Sequence, residues 1–144
     1  MTTQLPIKVL LVEDDPGDAL LVREALADDE RVDEISVASD GVYALEQLND
    51  SRLPLPDLIL LDLNLPRMDG RELLAEIKRE PRFAPIPVVV LTTSDAESDV
   101  MRSYELHANA FVTKPRDLNR FLSVVREIDR FFVSIAKLPG RATA

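Results

Sequence analysis

The chain of 144 residues has no cysteine, no tryptophan, one histidine and four glycines. Without cysteine it forms neither disulfides nor thiolate metal sites, and the single His107 leaves no partner for a histidine triad. No apolar run approaches the ~20 residues that a membrane span needs. The first residues, 1–6, carry no basic segment followed by an apolar one, so no signal peptide is indicated. We therefore expect a cytoplasmic protein without a membrane partner.

Basic residues are also scarce, since 17 Lys and Arg stand against 26 Asp and Glu, a formal charge of −9. This sign argues against nucleic-acid binding, which depends on neutralising phosphates. It is compatible with a bound divalent metal or with a partner that has a basic patch. For most of these acids, the simpler explanation is a solvated surface.

Short apolar segments alternate with helical patterns along the chain. Leu58–Leu61 is apolar throughout, which is typical of a strand buried on both faces of a parallel sheet. The strands are predicted at 7–12, 35–38, 58–61, 88–91 and 110–113. This alternation predicts an α/β fold, a doubly wound (βα)5 five-stranded parallel sheet of the flavodoxin type. We expect one domain over 7–137 with an extended last helix, an N-terminal segment 1–6 and a flexible tail 138–144.

Polar side chains follow four of these strands. Glu13 and Asp14 follow the first strand, Asp62 the third, Thr92 the fourth and Lys114 the fifth. The carboxyl ends of parallel strands share one edge of the sheet, where open α/β folds bind ligands. Three carboxylates cannot all stay ionised there without a cation. The pattern predicts a Mg²⁺ site, since Mg²⁺ prefers oxygen ligands.

Each of these residues is one that phosphoryl transfer uses. Asp62 is a candidate nucleophile towards phosphorus, Lys114 would neutralise phosphoryl charge, and Thr92 would donate a hydrogen bond. The carbonyl of Asn64 would supply a neutral metal ligand. Singly, each residue has a plainer explanation, such as an acidic helix start or a turn. Taken together at the ends of the strands, they favour a site for phosphoryl transfer.

At this point the sequence resembles the receiver domains of two-component response regulators, the CheY-like family. The matching segments are 9–15 (VLLVEDD), 40–45 (DGVYAL), 60–70 (LLDLNLPRMDG), 90–93 (VLTT) and 111–115 (FVTKP). The resemblance implies that Asp62 is the phosphoacceptor. It also implies a metal set of Glu13, Asp14, Asp62 and Asn64, contacts from Thr92 and Lys114 to the phosphoryl group, and a switch formed by Thr92 and Phe111.

The family resemblance also implies the mechanism. A sensor histidine kinase would transfer its phosphoryl group to Asp62 with Mg²⁺, which switches a protein-interaction surface. The protein would not be an enzyme beyond catalysing its own phosphorylation and dephosphorylation. Too few residues follow the last helix for an output domain, so we expect a stand-alone regulator. The segments 12–18, 91–94 and 113–118 are most similar to the small regulators of bacterial and cyanobacterial phytochromes.

Three other functions remain as alternatives. A haloacid-dehalogenase-like phosphatase would need a second Asp two residues after its nucleophile, where this chain has Asn64. A flavodoxin-like cofactor module would need a Gly-rich phosphate loop, which four glycines do not provide. A receiver-like scaffold that is never phosphorylated, or a phosphorelay intermediate, is the closest alternative.

The last helix, predicted over 117–137, carries two apolar stripes, and one of them has no evident cover. We expect a homodimer formed through this helix. The predicted interface residues are Phe121, Ile128, Phe131, Phe132 and Ile135. The alternative is a wide helix that buries both stripes in its own core.

Overall fold

The computed structural model describes residues 7–135 and 138–139, with only the backbone at 134 and 135. Five parallel strands form one sheet in the order β2-β1-β3-β4-β5, which confirms the predicted fold. The strands are β1 (Ile7–Val12), β2 (Val32–Ala38), β3 (Leu58–Leu61), β4 (Val88–Thr92) and β5 (Ala110–Thr113). The helices are α1 (Pro16–Ala27), α2 (Gly41–Asn49), α3 (Gly70–Arg79), α4 (Glu97–Glu105) and α5 (Leu118–Asp129). Among the described residues, no helix is both long and apolar enough to cross a membrane.

The central strand β3 explains why four apolar residues follow one another. Leu58 and Leu60 pack in the half of the core that contains α1 and α5. Ile59 and Leu61 pack in the other half, which contains α2 and α3. Successive side chains of a strand point to opposite faces, so a strand covered by helices on both sides is apolar throughout. The residue after this strand, Asp62, is therefore held at the edge of a rigid sheet.

The last helix differs from its prediction. Helix α5 ends at Asp129, and the chain continues as a π-helix over Arg130–Ile135. Phe121 and Ile128 are buried in the core of their own chain, so their assignment to a dimer interface is wrong. These two residues and Val125 form the face of α5 that packs in the core with α1 and the sheet.

The other three predicted interface residues differ in how far the structure exposes or describes them. Phe131 is 52% exposed, and Phe132 is half-buried and packs against it edge-to-face, with ring centroids 4.9 Å apart. The side chain of Ile135 lies outside the described residues, as do the predicted N-terminal segment 1–6 and positions 140–144 of the predicted tail. Leu138, assigned to a flexible tail, is instead buried with the α1/α5 core. An apolar side chain at this position closes the end of that core.

Two carboxyl groups meet where α5 ends. Asp129 lies beside Asp29, whose two oxygens are each 2.9 Å from the Arg31 guanidinium. Oδ1 of Asp129 is buried and receives no hydrogen bond from a described donor. Burial, together with the hydrogen bond and charge of Asp29, raises the pKa of Asp129 to about 7. One proton shared by the two carboxyl groups removes the repulsion between their charges.

This pair predicts a pH-dependent stability. Between the free-aspartate pKa of about 4 and the raised value of about 7, the folded chain holds a proton that the unfolded chain has released. Its contribution is therefore lost as the pH rises through that window. An Asp129→Asn variant keeps a donor at every pH, so its unfolding free energy relative to wild type should increase from pH 5 to pH 8. Urea titrations at both pH values, with Asp28→Asn as an exposed control, measure this; a constant difference would contradict it.

Candidate functional site

The carboxylate of Asp62 is held by three donors. The Thr92 hydroxyl donates to its Oδ1 over 2.8 Å, and the backbone N–H of Asn64 donates to the same oxygen over 3.1 Å. The Lys114 ammonium donates to Oδ2 over 3.2 Å. Asp62, Thr92 and Lys114 are all buried. The structure therefore brings together four of the residues that the sequence predicted, with one carboxylate at their centre.

Lys114 contacts three acids at once. Its ammonium donates to Glu13 and to Asp62, and also to Asp18 over 2.9 Å. Burial lowers the pKa of Lys114, but the hydrogen bonds to Glu13 and Asp18 outweigh burial and hold it above its ordinary value. Since an ammonium has three N–H donors, all of them are used. Lys114 is therefore a fixed positive charge with no donor left over.

The predicted acidic pair lies beside this lysine. Oxygens of Glu13, Asp14 and Asp62 lie within 4.8 Å of one another. Burial raises the pKa of Glu13 well above its usual range, although Lys114 opposes that shift. Asp14 is exposed, so the cluster opens to water on its side. Three carboxylates around an open position form a donor set that suits a hard divalent cation.

Backbone geometry keeps the loop after β3 close to the sheet. A Cβ at Gly70 would collide with the carbonyl of Asp62 and with Leu63, so only glycine is accommodated there. Arg67 adopts a left-handed conformation, with φ 64°. Its guanidinium donates twice to Asp40, over 2.9 and 3.0 Å. This loop sets the position of the Asn64 backbone relative to the carboxylate.

Phe111 lies on β5 and is half-buried against the α2/α3 half of the core. Its backbone N–H donates to the Tyr104 hydroxyl over 3.3 Å. Phe111 pairs with Val90, two residues before Thr92 on the neighbouring strand. The structure thus places the two predicted switch residues on adjacent strands, and their movement remains a prediction.

Sequence reasoning missed two features of this edge. Asp18 contacts Lys114 from 96 positions away, and an acid in the first turn of a helix has an ordinary explanation. Arg71 of α3 donates to Asp99 of α4 over 2.8 Å, and Ser94 donates to the same carboxylate over 2.5 Å. Neither contact has a local spacing signal, because the partners meet only in the folded chain.

Comparison with known proteins identifies the class. The sequence model of the response regulator receiver domain family matches residues 9–126, so the chain belongs to that family. It is a receiver of two-component signalling, and phosphorylation of an aspartate is typical of such domains.

Individual relatives are close over nearly their whole length. Response regulator Rcp1 of Synechocystis sp. (strain ATCC 27184 / PCC 6803 / Kazusa) is 46% identical over 139 residues, which cover 94% of this chain and 95% of Rcp1. The structure of Mn²⁺-bound Rcp1 superposes with a TM-score of 0.90, over 94% of this chain and 100% of that one. The phosphorylated cyanobacterial phytochrome response regulator RcpA is 45% identical, with a TM-score of 0.91 and coverages of 94% and 99%. Bacteriophytochrome response regulator RtBRR is 38% identical, with a TM-score of 0.71 and coverages of 94% and 86%.

The crowding of acids around Lys114 predicts how its removal affects stability. A Lys114→Met variant leaves buried carboxylates without their counter-charge, so its unfolding free energy should fall by about 3 kcal/mol in metal-free buffer. Added Mg²⁺ should raise its melting temperature more than that of the wild type, because no ammonium repels the ion.

A matched control is Lys8→Met. Lys8 also pairs with two acids, Asp33 and Glu34, but on the surface. Its loss should change neither the stability appreciably nor the response to Mg²⁺. Equal Mg²⁺-induced shifts in Lys114→Met and wild type would contradict the account of this site.

Proposed function

We propose that Asp62 accepts a phosphoryl group from the phosphohistidine of a sensor kinase. The observation that carries this proposal is the Asp62 carboxylate itself, oriented by Thr92, Asn64 and Lys114 next to two further acids. No separate substrate is acted on, so the chemistry is confined to phosphorylation and dephosphorylation of the chain. We also propose a cytoplasmic location, in line with the sequence.

The transfer step follows from these contacts. A carboxylate oxygen of Asp62 attacks phosphorus, the P–N bond to the histidine breaks, and its electron pair returns to the imidazole, which takes up a proton. Mg²⁺, held by Glu13, Asp14, Asp62 and the Asn64 carbonyl, would neutralise phosphoryl charge when bound. Lys114 and Thr92 now donate to the Asp62 carboxylate. They would donate to the phosphoryl oxygens once that group is attached. Water then attacks phosphorus, the bond between phosphorus and the Asp62 oxygen breaks, and inorganic phosphate leaves the restored carboxylate.

The same step supplies the switch. In the present structure the Thr92 hydroxyl is bound to the carboxylate that would be modified. Once Asp62 is an acyl phosphate, that hydroxyl follows the phosphoryl oxygen and leaves space beside β5. Phe111 would then turn inward, which biases the surface formed by α4, β5 and α5 between two states.

We propose a phytochrome as the kinase partner. RcpA and RtBRR are regulators of phytochromes by name, and the similarity to them extends over almost the whole chain. A phosphorelay role uses the same chemistry on Asp62, whereas a scaffold role requires none of it.

We further propose a homodimer formed by the C-terminal end of α5 and the π-helix. The support is the exposure of Phe131 together with its ring contact to Phe132. Two aromatic rings at a helix end give a self-complementary patch, as a twofold interface requires.

Phosphorylation is tested with acetyl phosphate as the donor. Wild type should incorporate label in the presence of Mg²⁺. It should incorporate almost none when a chelator is present from the start of the reaction. Asp62→Asn, which keeps the shape of the side chain, should incorporate none. Label that persists in the variant would contradict the assignment of Asp62, and a folded wild type that never labels from acetyl phosphate or from a phosphorylated kinase would favour the scaffold role.

The dimer is tested by size-exclusion chromatography with light scattering. Phe131→Asp should run at half the mass of the wild type, because the interface would have to bury a charge. Leu20→Asp places the same charge at an equally exposed apolar position on α1 and should leave the mass unchanged. Monomeric wild type, or dimeric Phe131→Asp, would overturn the interface.

A further inference from the structure

Asp18 lies in the first turn of α1 and reaches the lysine of the site. Its Oδ2 accepts a hydrogen bond from the Lys114 ammonium over 2.9 Å, shorter than the 3.2 Å from that ammonium to Asp62. The side chain is 29% exposed, whereas Lys114 is 4% exposed. Asp18 therefore approaches from the solvent side of a buried cation.

The other two partners of Lys114 have other roles in the site. Glu13 belongs to the acidic cluster, and Asp62 is the proposed phosphoacceptor. Asp18 lies outside that cluster, and the proposed phosphoryl transfer does not use it. The contact between the Asp18 carboxylate and Lys114 therefore needs a separate explanation.

The number of N–H donors on Lys114 shows why the contact with Asp18 matters. All three N–H bonds of the ammonium are used in the present structure. A phosphoryl group on Asp62 can take over the donor that Asp62 uses, but any further hydrogen bond from Lys114 to that group must replace Glu13 or Asp18. Asp18 is the most exposed of the three, so its release into water is the least costly. Its charge would also lie near a phosphoryl group of the same sign.

We propose that Asp18 is a positioning residue that competes with the phosphoryl group for the Lys114 ammonium. The competition weakens the hold of the site on any phosphoryl group, both a donor that enters and the acyl phosphate that forms. It therefore shortens the activated state and disfavours small anionic donors that lack further contacts to the protein. This inference rests on the proposed phosphorylation of Asp62.

A purely structural role of Asp18 predicts a different outcome. An acid in the first turn of a helix interacts favourably with the helix dipole, so neutralising it would lower stability. That effect alone leaves the affinity of a folded site for phosphoryl groups unchanged. Competition, in contrast, changes affinity whether or not stability changes.

The experiment compares Asp18→Asn with wild type in Mg²⁺ buffer. The concentration of acetyl phosphate that gives half-maximal phosphorylation rate should fall by about threefold to tenfold, the range for loss of one partly screened charge. The dissociation constant of beryllium trifluoride, a phosphoryl mimic that binds the aspartate, should fall by a similar factor. The half-life of the phosphorylated protein should lengthen.

Two matched variants complete the design. Asp18→Glu keeps the charge and should restore both constants towards wild type. Glu24→Gln removes one exposed charge from the same helix, away from Lys114, and should leave both constants at the wild-type value.

The possible failures are distinguishable. Suppose that wild type labels and binds beryllium trifluoride, but that both constants of Asp18→Asn are equal to or larger than those of wild type. The competition is then refuted, and the assignment of Asp62 as phosphoacceptor stands. An equal fall of both constants in Glu24→Gln would also refute the competition, since the effect would then come from the net charge of the protein. If wild type neither labels nor binds the mimic, the proposed function fails as well.

Discussion

The site depends on one buried ammonium among carboxylates that would otherwise repel one another. Lys114 reaches Glu13 and Asp62 from the end of β5, across the ends of β1, β3 and β4. Removing these charges from water is costly unless they are paired. The pairing is therefore what allows an acidic cluster to be buried at the edge of this sheet. In the proposed function, a divalent cation and a phosphoryl group would enter a site in which one lysine offsets part of the carboxylate charge.

The fold fixes this arrangement through the strands and through backbone contacts. Strand β3 is covered by helices on both sides, so Asp62 has little freedom to move. Gly70 lets the following loop return against the carbonyl of Asp62, which brings the N–H of Asn64 to the carboxylate. Rigid positioning of this kind serves phosphoryl transfer, in which placement and charge compensation supply most of the catalysis.

The sequence predicts most of this site because its residues lie at the carboxyl ends of recognisable strands. Asp62 and Thr92 each end an apolar run, Lys114 follows the strand Ala110–Thr113, and the geometry of a parallel sheet brings such residues together. Asp18 could not be found in the same way, because it lies within a helix and meets Lys114 only in the folded chain. Local pattern specifies which edge carries the chemistry, but not every side chain that reaches it.

The last helix shows a second limit of sequence pattern. Its apolar residues offer more than one face until packing selects one, and the structure buries Phe121, Val125 and Ile128. Beyond Asp129 the hydrogen bonding becomes π-helical, so positions extrapolated at 3.6 residues per turn no longer keep their phase. The extent of the helix and the choice of its buried face are tertiary properties.

The most direct test of the central claim is the chemical position of the phosphoryl group. Borohydride reduces an aspartyl phosphate to homoserine, and trypsin separates Asp62, in peptide 53–67, from Glu13, Asp14 and Asp18, in peptide 9–23. Mass spectrometry of phosphorylated, reduced protein should find homoserine at position 62 and an unchanged peptide 9–23. Homoserine at position 14 or 18, or at position 57 within the first peptide, would contradict the account.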